Sequence, residues 1–349
     1  MGIQELQTKN KYYLAANSSS GFKNFFSEIF NPDTLDKFFI IKGGPGTGQS
    51  TLMKQAATLG EELDCYTEAI YCSSDVTSLD GVLLSKNGVS IAFVDGTAPH
   101  EFEPKYPGAV EEIINLGQSW DEGALRKRRD EIVAVNKLKL GAYTEAYEKL
   151  GISFIFHSKI AAESKKHFDF QKCKTDISFI IPRVTEEIYT EKIRLVSAFS
   201  KLGFTSLSTV FNTSDKVIRL GGNKYSKANY MNTLRSALRR RGISHTTFLS
   251  PYDTNDAEGV YLPCCGLGII CSDKEYEVNA DLYCSDFCSG NFEEMSALEN
   301  KFIEQAKNHL NEASENHFLL EEIYKSAMDF DKNEKLASSV MERCRKILS

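Results

Sequence analysis

Gly43-Gly44 recurs as Gly221-Gly222, 178 residues later (221 − 43). The same offset carries Asp75 to Asp253, Gly81-Val82 to Gly259-Val260, Gly88 to Gly266, Ile91 to Ile269 and Asp95 to Asp273. No gap is needed between these points, and one register holding for both glycines and acids is the signature of an internal repeat. Upstream, Ala16 and Gly21-Phe22 match Ala198 and Gly203-Phe204 at a slightly larger offset. Downstream, Asp169-Phe170-Gln171-Lys172 resembles Asp329-Phe330-Asp331-Lys332. The repeat predicts two copies of one unit, with domains at 1–192 and 193–349, the second copy diverged.

Each copy has one coarse pattern. Phe38 to Ile41 is a short apolar run closed by glycines, as in a buried strand. Ser50 to Leu63 is rich in helix formers, and Tyr66 to Cys72 and Val89 to Val94 are further strand candidates. Strands alternating with helices predict a parallel sheet. Asp121 to about Phe170 and Ala297 to Lys335 are long, charged and helical in composition. The expected fold class is α/β: tandem duplicated P-loop NTPase-like parallel sheet domains. Each carries a helical hairpin appendage, at about 118–175 and 292–345.

The segment that follows the first strand reads Gly43-Gly44-Pro45-Gly46-Thr47-Gly48-Gln49-Ser50-Thr51. It fits the phosphate-loop form G-x-x-x-x-G-K-[S/T] at Gly43, Gly48 and Ser50. Glycines let the backbone wrap with its N–H groups inward, making a nest for phosphate oxygens. The helix that follows adds the positive end of its dipole. The Ser50 hydroxyl is placed to ligate a Mg²⁺ ion bridging the phosphates. Residues 43–51 are therefore the expected nucleotide-binding segment, for ATP or another NTP with Mg²⁺.

One position departs from the pattern. Where the form has a lysine, this chain has Gln49, which donates a hydrogen bond but carries no charge. The nest remains, so binding is expected to persist while charge stabilisation in phosphoryl transfer suffers. Lys42, just before the loop, is a poor substitute on spacing. The second loop reads Gly221-Gly222-Asn223-Lys224-Tyr225-Ser226-Lys227-Ala228. It has a lysine at the Gln49 position but has lost the second glycine and the hydroxyl, so it reads as a pseudo-copy.

On these residues the chain resembles the poorly characterised duplicated P-loop ATPases, or ATP-binding proteins, of Gram-positive bacteria. The resembling stretches are the loop, Cys72-Ser73-Ser74-Asp75, Ser78-Leu79-Asp80-Gly81-Val82, Asp95-Gly96-Thr97-Ala98-Pro99-His100 and Tyr106-Pro107-Gly108-Ala109-Val110. The resemblance covers most of the chain and is strongest in the first half. It implies ATP binding and ATPase activity. Asp95, closing the run Ile91-Ala92-Phe93-Val94, has the form of a Walker B aspartate, with Asp75 or Asp80 as alternatives. Ser50 and Asp95 are thus the expected metal pair, with Asp95, His100 and Gln49 the candidate catalytic groups. His100 could read the γ-phosphate or position water; a lone loop histidine is also commonly a turn stabiliser.

Composition narrows the rest. A net charge of −7 leaves no overall basic footprint for nucleic acid. Met1 to Lys11 is polar, no apolar run is long enough to span a bilayer, and nine cysteines, an odd number, are scattered over a long chain, so a cytoplasmic location is expected. Arg126, Lys127, Arg128 and Arg129 read as a solvated helix face, and Arg239 to Arg241 as a helix C-terminus. Cys264, Cys265, Cys284 and Cys288 only loosely resemble metal-ligand spacing. The leading expectation is an ATPase or nucleotide switch whose hairpins engage a protein partner. The alternatives are a small-molecule kinase and a non-catalytic pseudo-NTPase module.

Overall fold

A computed structural model describes residues 6–183, 188–285 and 292–349. In chain order the first half contains β1 (Asn10–Tyr13), β2 (Ala15–Ser18), β3 (Gly21–Asn24), β4 (Lys37–Lys42), α1 (Gln49–Glu62), β5 (Tyr66–Tyr71), β6 (Leu79–Lys86), β7 (Val89–Asp95) and β8 (Glu111–Asn115). Helices α2 (Glu122–Lys127), α3 (Arg129–His167) and α4 (Phe170–Ile180) follow. The second half contains β9 (Glu191–Arg194), β10 (Ser197–Ser200), β11 (Gly203–Ser206), α5 (Thr209–Thr213), β12 (Lys216–Gly221), α6 (Lys224–Arg241), β13 (His245–Leu249), β14 (Ala257–Leu262), β15 (Leu267–Cys271) and β16 (Val278–Asn279). It ends with α7 (Glu293–Lys325) and α8 (Phe330–Leu348).

The fold is mixed α/β, with two six-stranded sheets. One has the order β1-β5-β6-β7-β4-β8, the other β9-β13-β14-β15-β12-β16, so the two orders match position by position. In each, the third strand runs antiparallel to both neighbours and the other neighbours pair in parallel. The register slips at the same place in both, between Ile70 and Tyr71 and between Phe248 and Leu249. The parallel sheet expected from the sequence is therefore mostly parallel, with one antiparallel strand in each sheet, β6 or β14. Asn87 and Gly88 both have positive φ, 52° and 83°, a two-residue turn that returns the chain directly into the neighbouring strand. A parallel return needs a crossover of a dozen or more residues, and none intervenes.

The turn also breaks the ungapped offset. Gly81 pairs with Val94, but Gly259 pairs with Ile270, two residues earlier than an offset of 178 predicts. A 3-10 turn at Pro263–Cys265 widens the connection of the second hairpin, whose paired arms are shorter.

Two compact units emerge, and they do not divide at 192/193. One comprises Met1–Leu14, Phe26–Thr144 and His309–Ser349; the other comprises Ala15–Phe25 and Glu145–Asn308. Each sheet is thus covered by the last helix of the other half of the sequence. In the first unit, α1 buries Leu52, Met53 and Ala56 with Ala337 and Val340 of α8 against Phe39 and Phe93. In the second, α6 buries Tyr230, Met231 and Leu234 with Cys173 and Ile177 of α4. Each large apolar side chain so buried contributes about 1.5–3 kcal/mol.

Aspartates start both covering helices. The Asp169 carboxylate accepts from Gln171 N and Lys172 N, and that of Asp329 from Lys332 N. Such caps are worth about 1 kcal/mol each. Main-chain bonds then seat each corner: Asp329 N donates to Ser119 O (2.9 Å), and Asp169 N to Tyr283 O (2.6 Å). Among the described residues, no helix is long and apolar enough to cross a membrane.

Candidate functional site

The first-unit loop joins β4 to α1. Its tip depends on glycine: Gly46 and Gly48 have φ of 71° and 93°, in the left-handed region. A side chain on Gly43 would collide with the Thr47 hydroxyl, which donates instead to Gly44 O at 2.8 Å. No side chain caps α1; its first intrahelical bond runs from Leu52 N to Gly48 O at 3.0 Å. A helix start of this kind presents main-chain N–H groups outward.

Side chains distant in sequence hold the loop. Asn333 of α8 donates to Thr47 O at 2.8 Å. A Cβ built on Gly46 would lie 2.8 Å from Glu321 O and 2.9 Å from Lys325 Cγ; one on Gly44 would lie 3.5 Å from the Trp120 ring. Trp120 and Tyr324 meet at 5.7 Å between ring centroids. None of Trp120, Tyr324, Lys325 and Asn333 was singled out from sequence. The one available signal was that Trp120 is the chain's single tryptophan.

Two arms of α1 reach adjacent strands. Gln49 Nε2 donates to Asp95 Oδ1 at 2.9 Å, at the end of β7. Ser50 Oγ accepts from Leu79 N at 3.0 Å, at the start of β6. Asp95 Oδ1 also accepts from Thr97 N (2.8 Å) and Thr97 Oγ1 (2.6 Å). Burial pushes the Asp95 carboxyl above its usual range, and the charge of Asp80 adds to the push. Asp80 is itself buried, with His100 Nε2 3.3 Å from its Oδ2. His100 packs against Phe26 with the rings tilted, 4.5 Å between centroids. Burial alone would lower the His100 pKa, but the Asp80 carboxylate outweighs it and the pKa is raised.

The structure therefore brings half-buried Gln49 and Asp95 and buried Asp80 and His100 into one cluster beside the loop. Asp75 serves its own turn, accepting from Thr77 N, Thr77 Oγ1 and Ser78 Oγ. Lys42 donates to Gly96 O (2.8 Å) and Phe102 O (2.9 Å), pinning the segment after β7. Arg126, Arg128 and Arg129 make exposed pairs with Glu122, Glu131 and Asp130. Among the described residues no group of three or more His, Cys, Asp or Glu is arranged to hold a metal ion. Cys264 and Cys265 are exposed, and Cys284 lies 3.1 Å from Ser226 Oγ. Cys288 lies outside the described residues.

The second loop is built differently. Lys224, Tyr225 and Ser226, replacing Gly46, Thr47 and Gly48 at the 178 offset, form the first turn of α6. Without glycines the chain continues as helix. Asn223 Oδ1 accepts from Tyr225 N and Ser226 N, both at 3.0 Å, and Asp281 accepts from Asn223 N. These bonds occupy N–H groups of the kind a phosphate nest requires. Lys224 Nζ and Tyr225 Oη both donate to the fully buried Glu299, which also meets His157 Nδ1 at 3.0 Å. Lys227 pairs with Asp273.

No protein-family model matches the chain, and neither a curated protein nor a solved structure matches it.

Proposed function

We propose that the first unit is a P-loop nucleotide-binding module for a magnesium-bound nucleoside triphosphate, with ATP the expected ligand. The observation that carries this reading is an uncapped helix start, preceded by a loop with two left-handed glycines. An acid from the neighbouring parallel strand stands within hydrogen-bond reach of that helix. In this reading the loop N–H groups and the dipole of α1 hold the phosphates. Ser50 supplies a hydroxyl to Mg²⁺, and Asp95 orients its water shell. Gln49 adds no charge, so the module binds nucleotide and turns it over slowly, as a switch does. The equal strand orders support a duplication in which the second copy has lost its loop.

Trp120 provides the test. Its ring lies against the loop, so titration with Mg·ATP is expected to change tryptophan emission saturably. Absence of ATP uptake in equilibrium dialysis would count against the reading.

A further inference from the structure

The second unit encloses a cavity of about 110 Å³ that the proposed nucleotide site does not use. Val196, Val210, Ile270 and Cys271 form its apolar wall, and exposed Ser206 and Phe211 stand where it meets the surface. Its charged group is Glu258. Among the described residues, the Glu258 hydrogen-bond partner is Ser197 Oγ, at 2.7 and 2.8 Å from the two carboxylate oxygens. One hydroxyl proton leaves most of a carboxylate's accepting capacity unused. Lys227, the cation whose charge is felt at Glu258, is committed to Asp273 and Ser272 O. The Cys271 thiol is held neutral, pushed by burial up to about 12.

The first unit explains why this acid stands beside a void. Asp80 precedes Gly81 on β6 as Glu258 precedes Gly259 on β14, in the same place in the strand order. Asp80 has an imidazole against it, because residues 96–110 between β7 and β8 carry His100 and Phe102 across the sheet. In the second unit only residues 272–277 join β15 to β16, too few to carry such a plug. The acid is retained, its imidazole partner is missing, and a cavity stands beside it.

We propose that this cavity binds a small organic monocation, with Glu258 as counter-ion, Ser197 orienting the carboxylate, and the apolar wall packing the body of the ligand. A dry cavity of about 150 Å³ accepts benzene, so this one suits a body of roughly four or five non-hydrogen atoms. Short alkylammonium and imidazolium groups meet both limits.

The test uses the full chain and n-propylammonium chloride as probe. Sodium chloride keeps ionic strength constant, and 1-propanol is the neutral control. At pH 8 the ammonium is expected to raise the melting temperature saturably, and 1-propanol to do much less. Isothermal titration is expected to show at least about tenfold weaker binding in Glu258→Gln. Val210→Leu, which narrows the cavity and keeps the carboxylate, is expected to weaken binding as well. Affinity should also fall below pH 7 in the unmodified protein, because a proton competes for Glu258. Equal responses to ammonium and alcohol, no saturation, or unchanged binding in either variant would overturn the proposal. If Glu258→Gln does not fold, the Val210→Leu comparison and the pH dependence decide it.

Discussion

Gln49 donates its side-chain amide to Asp95 across 2.9 Å, joining the first turn of α1 to the end of β7. At the 178 offset, the second unit places Lys227 and Asp273 in contact. The position that carries lysine in phosphate loops is thus engaged with an acid in both units. In the first unit it does so without charge.

The first expected outcome follows from that missing charge. Losing one preorganised donor at a developing charge costs about 3–4 kcal/mol, or roughly 10²–10³ in rate. Gln49→Lys is therefore expected to raise phosphate release from saturating Mg·ATP by at least about tenfold, a cautious share of that cost. Thermal melts establish that both forms are equally folded. Equal rates would remove this position from the chemistry.

Gly46 tests the loop itself. A Cβ there meets Glu321 O at 2.8 Å, and the backbone stands at φ 71°. Gly46→Val is expected to weaken Mg·ATP binding at least about tenfold, since left-handed backbone costs a non-glycine residue about 1–2 kcal/mol and the clash adds to it. The Trp120 titration reads the change directly. Unaltered affinity in a folded variant would mean the loop does not hold the ligand.

Asn223 caps α6 where the first unit has an uncapped loop. Asn223→Ala is expected to destabilise the second unit by about 1 kcal/mol. It should leave ATP affinity unchanged, because no loop amides become arranged as a nest. Urea denaturation measures the first effect and Trp120 emission the second.

Glu258 gives a pH dependence with a definite sign. Burial pushes its carboxyl up to about 7, from 4.5 for an ordinary glutamate. Between these values the folded protein binds more protons than the unfolded chain, so this group's contribution to stability falls as pH rises. The full loss is on the order of 3 kcal/mol across that window. Glu258→Gln is expected to flatten the stability profile between pH 4.5 and 7. A profile as steep as that of the unmodified protein would assign the slope to other groups.

Much of the first unit was legible in the chain because its cues are local. Gly46 and Gly48 permit left-handed backbone and Gly43 a close approach, and an apolar run ending in Asp95 marks a strand and its exit. The Asn87-Gly88 turn was equally local and specifies an antiparallel hairpin. It overrides the parallel sheet that the alternation of strands and helices suggests, because two residues leave no room for a crossover. The recurrence of Gly43-Gly44, Gly81-Val82 and Gly88 178 residues later is a local cue of the same kind.

What the chain alone left open depends on non-local contacts. Whether Gln49 would face the ligand or the acid is set by the approach of β7 to α1, 46 residues on. The seating of Asn333, Glu321 and Lys325 on the loop depends on α8 covering the first sheet and on the end of α7 that precedes it, which no periodicity records. The compact units likewise take their covering helices from opposite halves of the chain, because a helix buries its apolar face wherever a sheet accepts it. The cavity beside Glu258 has no sequence signature. It exists because a short connection fails to fill space that a longer one fills in the first unit, and packing of that kind is decided only in three dimensions.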